Sequence, residues 1–220
     1  MGAPRGGIAA GDPRGGAGRP PTRELPFGAE CHAVNLQIKP PAETLAAVVR
    51  LRERLATATG RAMRQAPPET LHLTVFSVVY VRALYPTPPE AVWAALEHPV
   101  TEALRTLAQH TAPFALAFDR AGLRGDAVIV EADPDPRLEA IRDAVEAAMA
   151  GLAPVFRTAT THSTVARLAE PTAEPWTRPL TDWMGEPVIR WPVDELRLVL
   201  ERRYPALDET LLERFALAGG

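Results

Sequence analysis

Two of the five histidines stand in the same four-residue frame, His72-Leu73-Thr74-Val75 and His162-Ser163-Thr164-Val165, ninety residues apart. On a β-strand, residues i and i+2 point to the same side, so each frame presents one imidazole together with one hydroxyl. Two imidazoles can act as general acid and general base near neutral pH, and hydroxyls donate hydrogen bonds to phosphate oxygens. The candidate catalytic residues are therefore His72, Thr74, His162 and Thr164.

Both frames are predicted to lie on strands. Residues 71–81 are rich in β-branched and aromatic side chains and follow the breaker pair Pro67-Pro68. Residues 161–168 form the second predicted histidine strand.

A third predicted strand, residues 31–39, precedes both frames and alternates between two faces. One face is apolar and the other is small or polar: Val34, Leu36 and Ile38 against Ala33, Asn35 and Gln37. This alternation predicts a half-buried strand. The amides of Asn35 and Gln37 are candidate substrate-binding groups if their face meets the cleft, and simply exposed groups otherwise.

The remaining apolar patterns place these strands in a fold. Helical spacing predicts a helix over 42–59 that stops at Gly60, a second helical region opened by Pro88 and broken near Pro99, and a third helix from Pro136 to Leu152. Further strands are predicted at 114–118, 127–131, 188–191, 195–202 and 210–217. The sequence therefore predicts an α+β fold with two pseudo-symmetric lobes of antiparallel sheet and outer helices around a central cleft.

Composition limits the partners and the organisation of the chain. A 220-residue chain that is 46% hydrophobic can bury a core, whereas residues 1–23, rich in Gly, Pro and Arg, are predicted to be a disordered tail before a single domain at 24–220. A net charge of −3 excludes a broadly basic surface of the kind that grips long nucleic acid. A nucleic-acid end or a nucleotide remains compatible with that charge.

Metal and membrane sites are not predicted. Cys31 is the single cysteine, so neither an intramolecular disulfide nor a cysteine zinc cluster is possible, and neither histidine frame contains His-x-x-x-His or His-x-Glu. No apolar stretch is long enough for a membrane span, and the amino terminus lacks a signal-peptide pattern. We expect a cytoplasmic monomer without metal or other cofactor.

The motifs resemble those of the two-histidine (2H) phosphoesterases, and most closely those of bacterial RNA 2′,3′-cyclic phosphodiesterases, also called 2′-5′ RNA ligases. The first motif is Pro68-Glu69-Thr70-Leu71-His72-Leu73-Thr74-Val75, and the second is His162-Ser163-Thr164-Val165-Ala166-Arg167-Leu168. Residues 196–200 and 211–217 are similar to the closing strand pair of that family. The resemblance covers about residues 28–218.

This resemblance implies hydrolysis of a 2′,3′-cyclic phosphate at an RNA or nucleotide end to a 2′-phosphate, with 2′-5′ ligation as the reverse reaction. Arg167 matches the arginine that often ends the second motif and is a candidate phosphate ligand. Its spacing from His162 puts it on the opposite strand face unless a bulge intervenes, and a surface ion pair is the alternative.

Two departures leave the substrate open. Residues 77–89 are longer than the usual turn after the first motif, and residues 156–161 lack the proline of the family's approach to the second. Small cyclic nucleotides, 2′-5′ oligonucleotides and a non-catalytic nucleotide-binding role therefore stay as alternatives. The sequence does not assign acid and base between His72 and His162.

Overall fold

The computed structural model describes residues 21–59, 63–65, 67–158, 160–170, 175–185 and 187–218. Most of the tail predicted at 1–23, and the predicted helix stop at Gly60, lie outside these residues. The described chain begins at Pro21, whose carbonyl accepts a hydrogen bond from the Leu84 amide, and Thr22 pairs with Ala83. Residues 21–23 are thus already attached to the folded domain.

The described part of the chain contains ten strands and four α-helices. The strands are β1 (Glu30–Ile38), β2 (Met63–Arg64), β3 (Leu73–Val79), β4 (Phe114–Arg124), β5 (Ala127–Ala132), β6 (Thr161–Leu168), β7 (Trp176–Pro179), β8 (Ile189–Val193), β9 (Glu195–Arg203) and β10 (Asp208–Ala216). The helices are α1 (Ala42–Thr59), α2 (Pro89–His110), α3 (Pro136–Met149) and α4 (Thr181–Met184). A short 3₁₀ helix, Pro68–Thr70, precedes β3.

The strands form one antiparallel sheet in the order β10-β9-β1-β3-β6-β5-β4-β7, with β2 added to β6 and β8 added to β4. The sheet has a seam in its middle, because β3 and β6 pair at Leu73 and Ser163 alone. We call β1, β3, β9 and β10 the terminal lobe, and β2 and β4 to β8 the central lobe. The predicted α+β class with two lobes is confirmed.

Helices α1 and α3 each pack on the lobe that does not contain the strand before them in the chain, so the two lobes exchange these helices. Helices α2 and α3 pack on the terminal lobe, where α3 contacts β3, whereas α1 packs on the central lobe against β6 and β8. The helix that follows β1 in the chain therefore covers the lobe that contains β6. This exchange fixes the two lobes, and with them β3 and β6, relative to each other.

Three sequence predictions need correction. Strand β1 is buried on both faces instead of half-buried, since Asn35 and Gln37 are 6% and 0% exposed. Both amides are hydrogen-bonded to carboxylates of β9 and β10, which makes their burial possible. The third helix ends at Met149, so Leu152 lies beyond it and is exposed.

The third correction concerns α2, which is continuous through Pro99. An interior proline costs a helix about 3 kcal/mol. Leu96, Val100 and Leu104 are all fully buried on either side of it. Burying each of them contributes about 1.5–3 kcal/mol, so tertiary packing outweighs the break.

Candidate active site

A cleft of about 430 Å³ opens where the two lobes meet. All four predicted catalytic residues line it: His72, Thr74, His162 and Thr164. We call β3, with His72 immediately before it, and β6 the two histidine strands. They form adjacent parts of the cleft wall, one from each lobe.

The seam between the lobes explains this convergence. Leu73 and Ser163 pair across it and are buried, so the residues on either side of each point the other way, into the cleft. The Ser163 hydroxyl also donates a 2.6 Å hydrogen bond to the His72 carbonyl. One backbone contact thus places both His-x-Thr pairs on the same surface.

The imidazole of His72 is held in one tautomer. Its Nδ1 lies 2.7 Å from the Thr70 carbonyl oxygen, which only accepts, so the ring donates from Nδ1. Its Nε2 lies 3.1 Å from Thr74 Oγ1. In the neutral ring Nε2 therefore carries the lone pair and is the nitrogen that can accept a proton.

A partly buried carboxylate stands behind His72. Glu209 Oε1 is 3.9 Å from Nδ1 of the imidazole and accepts a 2.7 Å hydrogen bond from Gln37, while Glu209 Oε2 pairs with Lys39 at 2.7 Å. Burial lowers the pKa of His72 below its ordinary value, Glu209 opposes this shift, and Lys39 adds to it. Gln37, a predicted substrate ligand, is therefore placed behind the histidine and does not line the cleft.

His162 has different neighbours. Its Nδ1 is 2.8 Å from Thr160 Oγ1, a hydroxyl that can donate or accept. Burial lowers the pKa of His162, with Glu131 acting to raise it and Arg124 to lower it. Arg124 and Glu131 form an ion pair with each other. His162 thus stands beside a balanced pair of charges.

Arg167 does reach the cleft, because β6 contains a bulge. The ladder between β5 and β6 steps over Val165, which rotates the following residues by one position. The Arg167 Nη1 donates to Asp126 at 2.9 Å, and its guanidinium lies 5.4 Å from the centre of the Tyr204 ring. Arg167 thus lines the cleft and also forms the ion pair that is the alternative from the sequence, and its role as a phosphate ligand stays a prediction.

Asn35 lines the cleft as predicted, but its Nδ2 already donates to Glu201 Oε2 at 3.1 Å. Glu201 also accepts a 2.8 Å hydrogen bond from the Ala206 amide, and it faces the cleft as well. Burial raises the pKa of Glu201, and the hydrogen bond from Ala206 opposes the shift. Asn35 therefore orients a buried carboxyl group on this wall.

Sequence reasoning missed several residues of the cleft wall, among them Ser77, Tyr80, Arg64 and Glu201. Ser77 has a sequence indicator, because it follows His72 at the same distance that separates Arg167 from His162. Arg64 has none, since β2 is two residues long. Arg64 pairs directly with Arg167 across the β2–β6 ladder, so two guanidinium groups share this side of the cleft.

Within the described ranges, no three His, Cys, Asp or Glu side chains are grouped as ligands for a metal ion. In the same part of the chain, no helix has the length and hydropathy of a membrane span.

Solved structures share this fold. Apo E. coli LigT is 20% identical over 86% of this chain and 98% of its own, with a TM-score of 0.56. E. coli LigT complexed with 3′-AMP is 22% identical over 86% and 99%, with a TM-score of 0.55. The TT0787 protein of Thermus thermophilus is 22% identical over 85% and 98%, also with a TM-score of 0.55. No curated protein matches the chain.

The family model of the 2′-5′ RNA ligase superfamily matches residues 76–205, a range that contains the second His-x-Thr frame and begins just after the first. The match spans more than half of the 220 residues. The chain belongs to the 2′-5′ RNA ligase superfamily, the group of the 2H phosphoesterases.

Proposed function

We propose that the protein is a phosphodiesterase that opens a 2′,3′-cyclic phosphate at an RNA or nucleotide end and leaves a 2′-phosphate, without metal or ATP. One observation carries this proposal: His72–Thr74 and His162–Thr164 line one cleft from two lobes. Ligation through a 2′-5′ bond would be the same ring opening, with a 5′-hydroxyl in place of water as the attacking group.

The reaction needs two proton transfers. Water attacks phosphorus while a base takes its proton, the bond from phosphorus to O3′ breaks, and an acid protonates O3′. One imidazole fills each role. The hydroxyls of Thr74 and Thr164 donate to the non-bridging phosphate oxygens, where negative charge accumulates in the transition state.

The surroundings of the histidines favour one assignment of these roles. His72 Nδ1 has the Thr70 carbonyl within hydrogen-bond distance and the Glu209 carboxylate 3.9 Å away, and both stabilise a protonated ring. His162 has a hydroxyl at Nδ1, and the charges of Glu131 and Arg124 beside it oppose each other. We therefore assign His72 as the acid and His162 as the base.

Arg64 and Arg167 support an anionic substrate. Like charges directly opposite each other on neighbouring strands are unfavourable, and an anion between them offsets the repulsion. The crystal structure of E. coli LigT with 3′-AMP shows a related fold in complex with a nucleotide. We propose that a nucleotide phosphate occupies the corresponding cleft of this protein.

To test this proposal, purified protein in EDTA is incubated separately with 2′,3′-cyclic nucleotides, with short RNAs that have 2′,3′-cyclic ends, and with 2′-5′ dinucleotides. Phosphorus NMR identifies the product, and we expect a 2′-phosphate. The double variant with His72→Asn and His162→Asn is the blank for contaminating enzymes. Binding of a nucleotide without turnover of any substrate would establish a binding module and refute the proposal.

Turnover confined to one of these three substrates also decides between them. Cleavage of the 2′-5′ dinucleotides alone would replace the cyclic phosphate as substrate. A preference for cyclic-ended RNA over cyclic mononucleotides would select the RNA end.

A further inference from the structure

Both histidine strands contain a β-bulge at the same point of the ninety-residue repeat. In β3 the ladder with β1 steps over Val75, and in β6 the ladder with β5 steps over Val165. Each valine stands three residues after its histidine. A bulge puts two residues opposite one and changes the direction of the side chains that follow.

The bulges determine which side chains meet the substrate. Without one, a residue five positions after the histidine would lie on the opposite strand face. With one, Ser77 lines the cleft together with His72, and Arg167 lines it together with His162. The cleft wall thus depends on both irregularities being kept.

A buried arginine binds each bulge. Arg142 Nε donates to the Val75 carbonyl at 3.1 Å, and Arg52 Nε donates to the Val165 carbonyl at 2.8 Å. The two arginines are 1% and 2% exposed. A bulged residue leaves the regular ladder, so its buried carbonyl needs a donor from elsewhere, and here a guanidinium supplies it.

These arginines are also ninety residues apart. Arg52 lies on α1 in the triplet Leu51-Arg52-Glu53, and Arg142 lies on α3 in the triplet Ile141-Arg142-Asp143. Because the helices exchange lobes, α1 contacts β6 and α3 contacts β3. Burying arginine is costly and rare, yet it occurs at equivalent positions of both halves.

Arg142 reaches the second histidine strand as well. Its Nη2 donates to the Thr160 carbonyl at 3.1 Å, and the hydroxyl of Thr160 is the group that contacts His162 Nδ1. One side chain therefore connects the β3 bulge to the anchor of His162. Arg52 also donates from Nη1 to Gln65 Oε1, beside β2.

We infer that Arg52 and Arg142 are positioning residues that hold the two bulges in register. This register brings each His-x-Thr pair onto the cleft wall, together with Ser77 on β3 and Arg167 on β6. Losing a bulge shifts the strand pairing by one residue and turns one of these groups away from the cleft. The kinetic part of this inference rests on the proposed function.

The test substitutes methionine, which is similar in length but has no donor. Arg142→Met is expected to lower kcat about 100-fold, since small misplacement of reacting groups has effects of that order. Its KM should stay within about threefold, because β3 carries no phosphate-binding cation at Ser77. Arg52→Met should lower kcat and also raise KM, because Arg167 follows the bulge that Arg52 holds. A general loss of stability does not produce this difference between the variants.

Arg105→Gln is the matched control. It removes ion pairs from Arg105 on α2 to Glu102 and Glu213 without touching a bulge or a partner of either buried arginine, and both kinetic constants should be unchanged. Thermal unfolding shows which variants are folded. If a methionine variant does not fold, Arg142→Lys and Arg52→Lys replace it, and about tenfold lower kcat is expected because an ammonium lacks the forked donor geometry. Wild-type kcat in any folded variant overturns the inference for that arginine.

A second readout is independent of turnover. Cross-strand NOEs report the wild-type register on both sides of each bulge, which is Thr74 opposite Gln37 and Phe76 opposite Leu36 on β3, and Thr164 opposite Ile129 and Ala166 opposite Val128 on β6. Loss of a pairing on either side of the β3 bulge in Arg142→Met, or of the β6 bulge in Arg52→Met, supports the inference, and retention of both pairings contradicts it. Absence of turnover in the wild-type protein refutes the proposed function alone.

Discussion

The two histidine strands have the same backbone design in different chemical surroundings. Each carries His-x-Thr at one end of a bulge, and each bulge is bound by a buried arginine. Behind His72 lies Glu209, which Lys39 and Gln37 hold in place. Beside His162 lies instead the ion pair between Arg124 on β4 and Glu131 on β5.

The second residue after each bulged valine differs as well, since it is Ser77 on β3 and Arg167 on β6. A repeated backbone places two equivalent imidazoles, but the proposed reaction needs one that gives a proton and one that takes a proton. The differences around the repeat would supply that asymmetry. They also place the positive charge of Arg167 on the β6 side of the cleft.

Replacing the histidines breaks the symmetry most severely. His72→Asn and His162→Asn are each expected to lower kcat about 10²–10⁴-fold, the range for a lost proton-transfer group, with nucleotide binding retained. His110→Asn, on the exposed end of α2, is the control. A diester with a p-nitrophenolate leaving group needs no acid, so it should restore turnover to His72→Asn and leave His162→Asn inactive. The opposite pattern reverses the acid and base assignment.

Substitution of Arg167 and substitution of Ser77 should differ in their effect on KM. Arg167→Gln removes a cation from the cleft wall and is expected to raise KM about 10–100-fold, as loss of a charged hydrogen bond does. Ser77→Ala at the equivalent position should change KM less than about threefold. Steady-state kinetics at two salt concentrations checks the difference, since the contribution of Arg167 should weaken as salt rises. Equal effects at both positions would show that the phosphate is bound symmetrically.

The pH profile tests whether the two imidazoles act as a pair. The base must be neutral, so activity falls as pH drops through its pKa, and the acid must be protonated, so activity falls as pH rises through its pKa. Burial lowers the pKa of both His72 and His162. We expect a bell-shaped profile of kcat/KM centred below about pH 6.5, the value for a free imidazole. A profile with one limb would indicate that only one histidine transfers a proton.

Much of the site follows from local sequence. The part that does not follow from it depends on tertiary contacts. The sequence predicts the strand Thr161–Leu168 and both His-x-Thr frames because alternation on a strand is a local property. The bulge at Val165 is not local, since it is defined by the partner strand. Gln37 is a candidate substrate-binding residue from the sequence, but a carboxylate from β10 binds it behind His72.

The equivalence of the two buried arginines can be found in the sequence. Extending the ninety-residue comparison upstream from the histidines aligns Arg52 with Arg142, each between an aliphatic and an acidic residue. A helical wheel alone assigns such a charged residue to the solvent face. Only the packing of α1 and α3 on opposite lobes shows that both guanidinium groups point inward.

The smallest expected effect concerns the carboxylate behind His72. Glu209→Gln keeps the shape of the side chain but removes the negative charge that raises the pKa of this histidine, while the Lys39 charge that lowers it remains. The pKa of His72 should therefore fall further. If His72 is the acid, the alkaline limb of the pH profile moves to lower pH, and kcat/KM at pH 7 drops by less than about tenfold, the effect of one pKa unit.

The control for Glu209→Gln is Glu213→Gln, which removes a carboxylate of the same strand that pairs with Arg105 on α2, away from the cleft. It should leave both limbs in place. The two limbs separate the possible roles of Glu209, since a shift of the acidic limb alone would place His72 as the base. A uniform loss at every pH would mean that Glu209 only supports the structure, and the asymmetry between the histidine strands would then depend on Arg167.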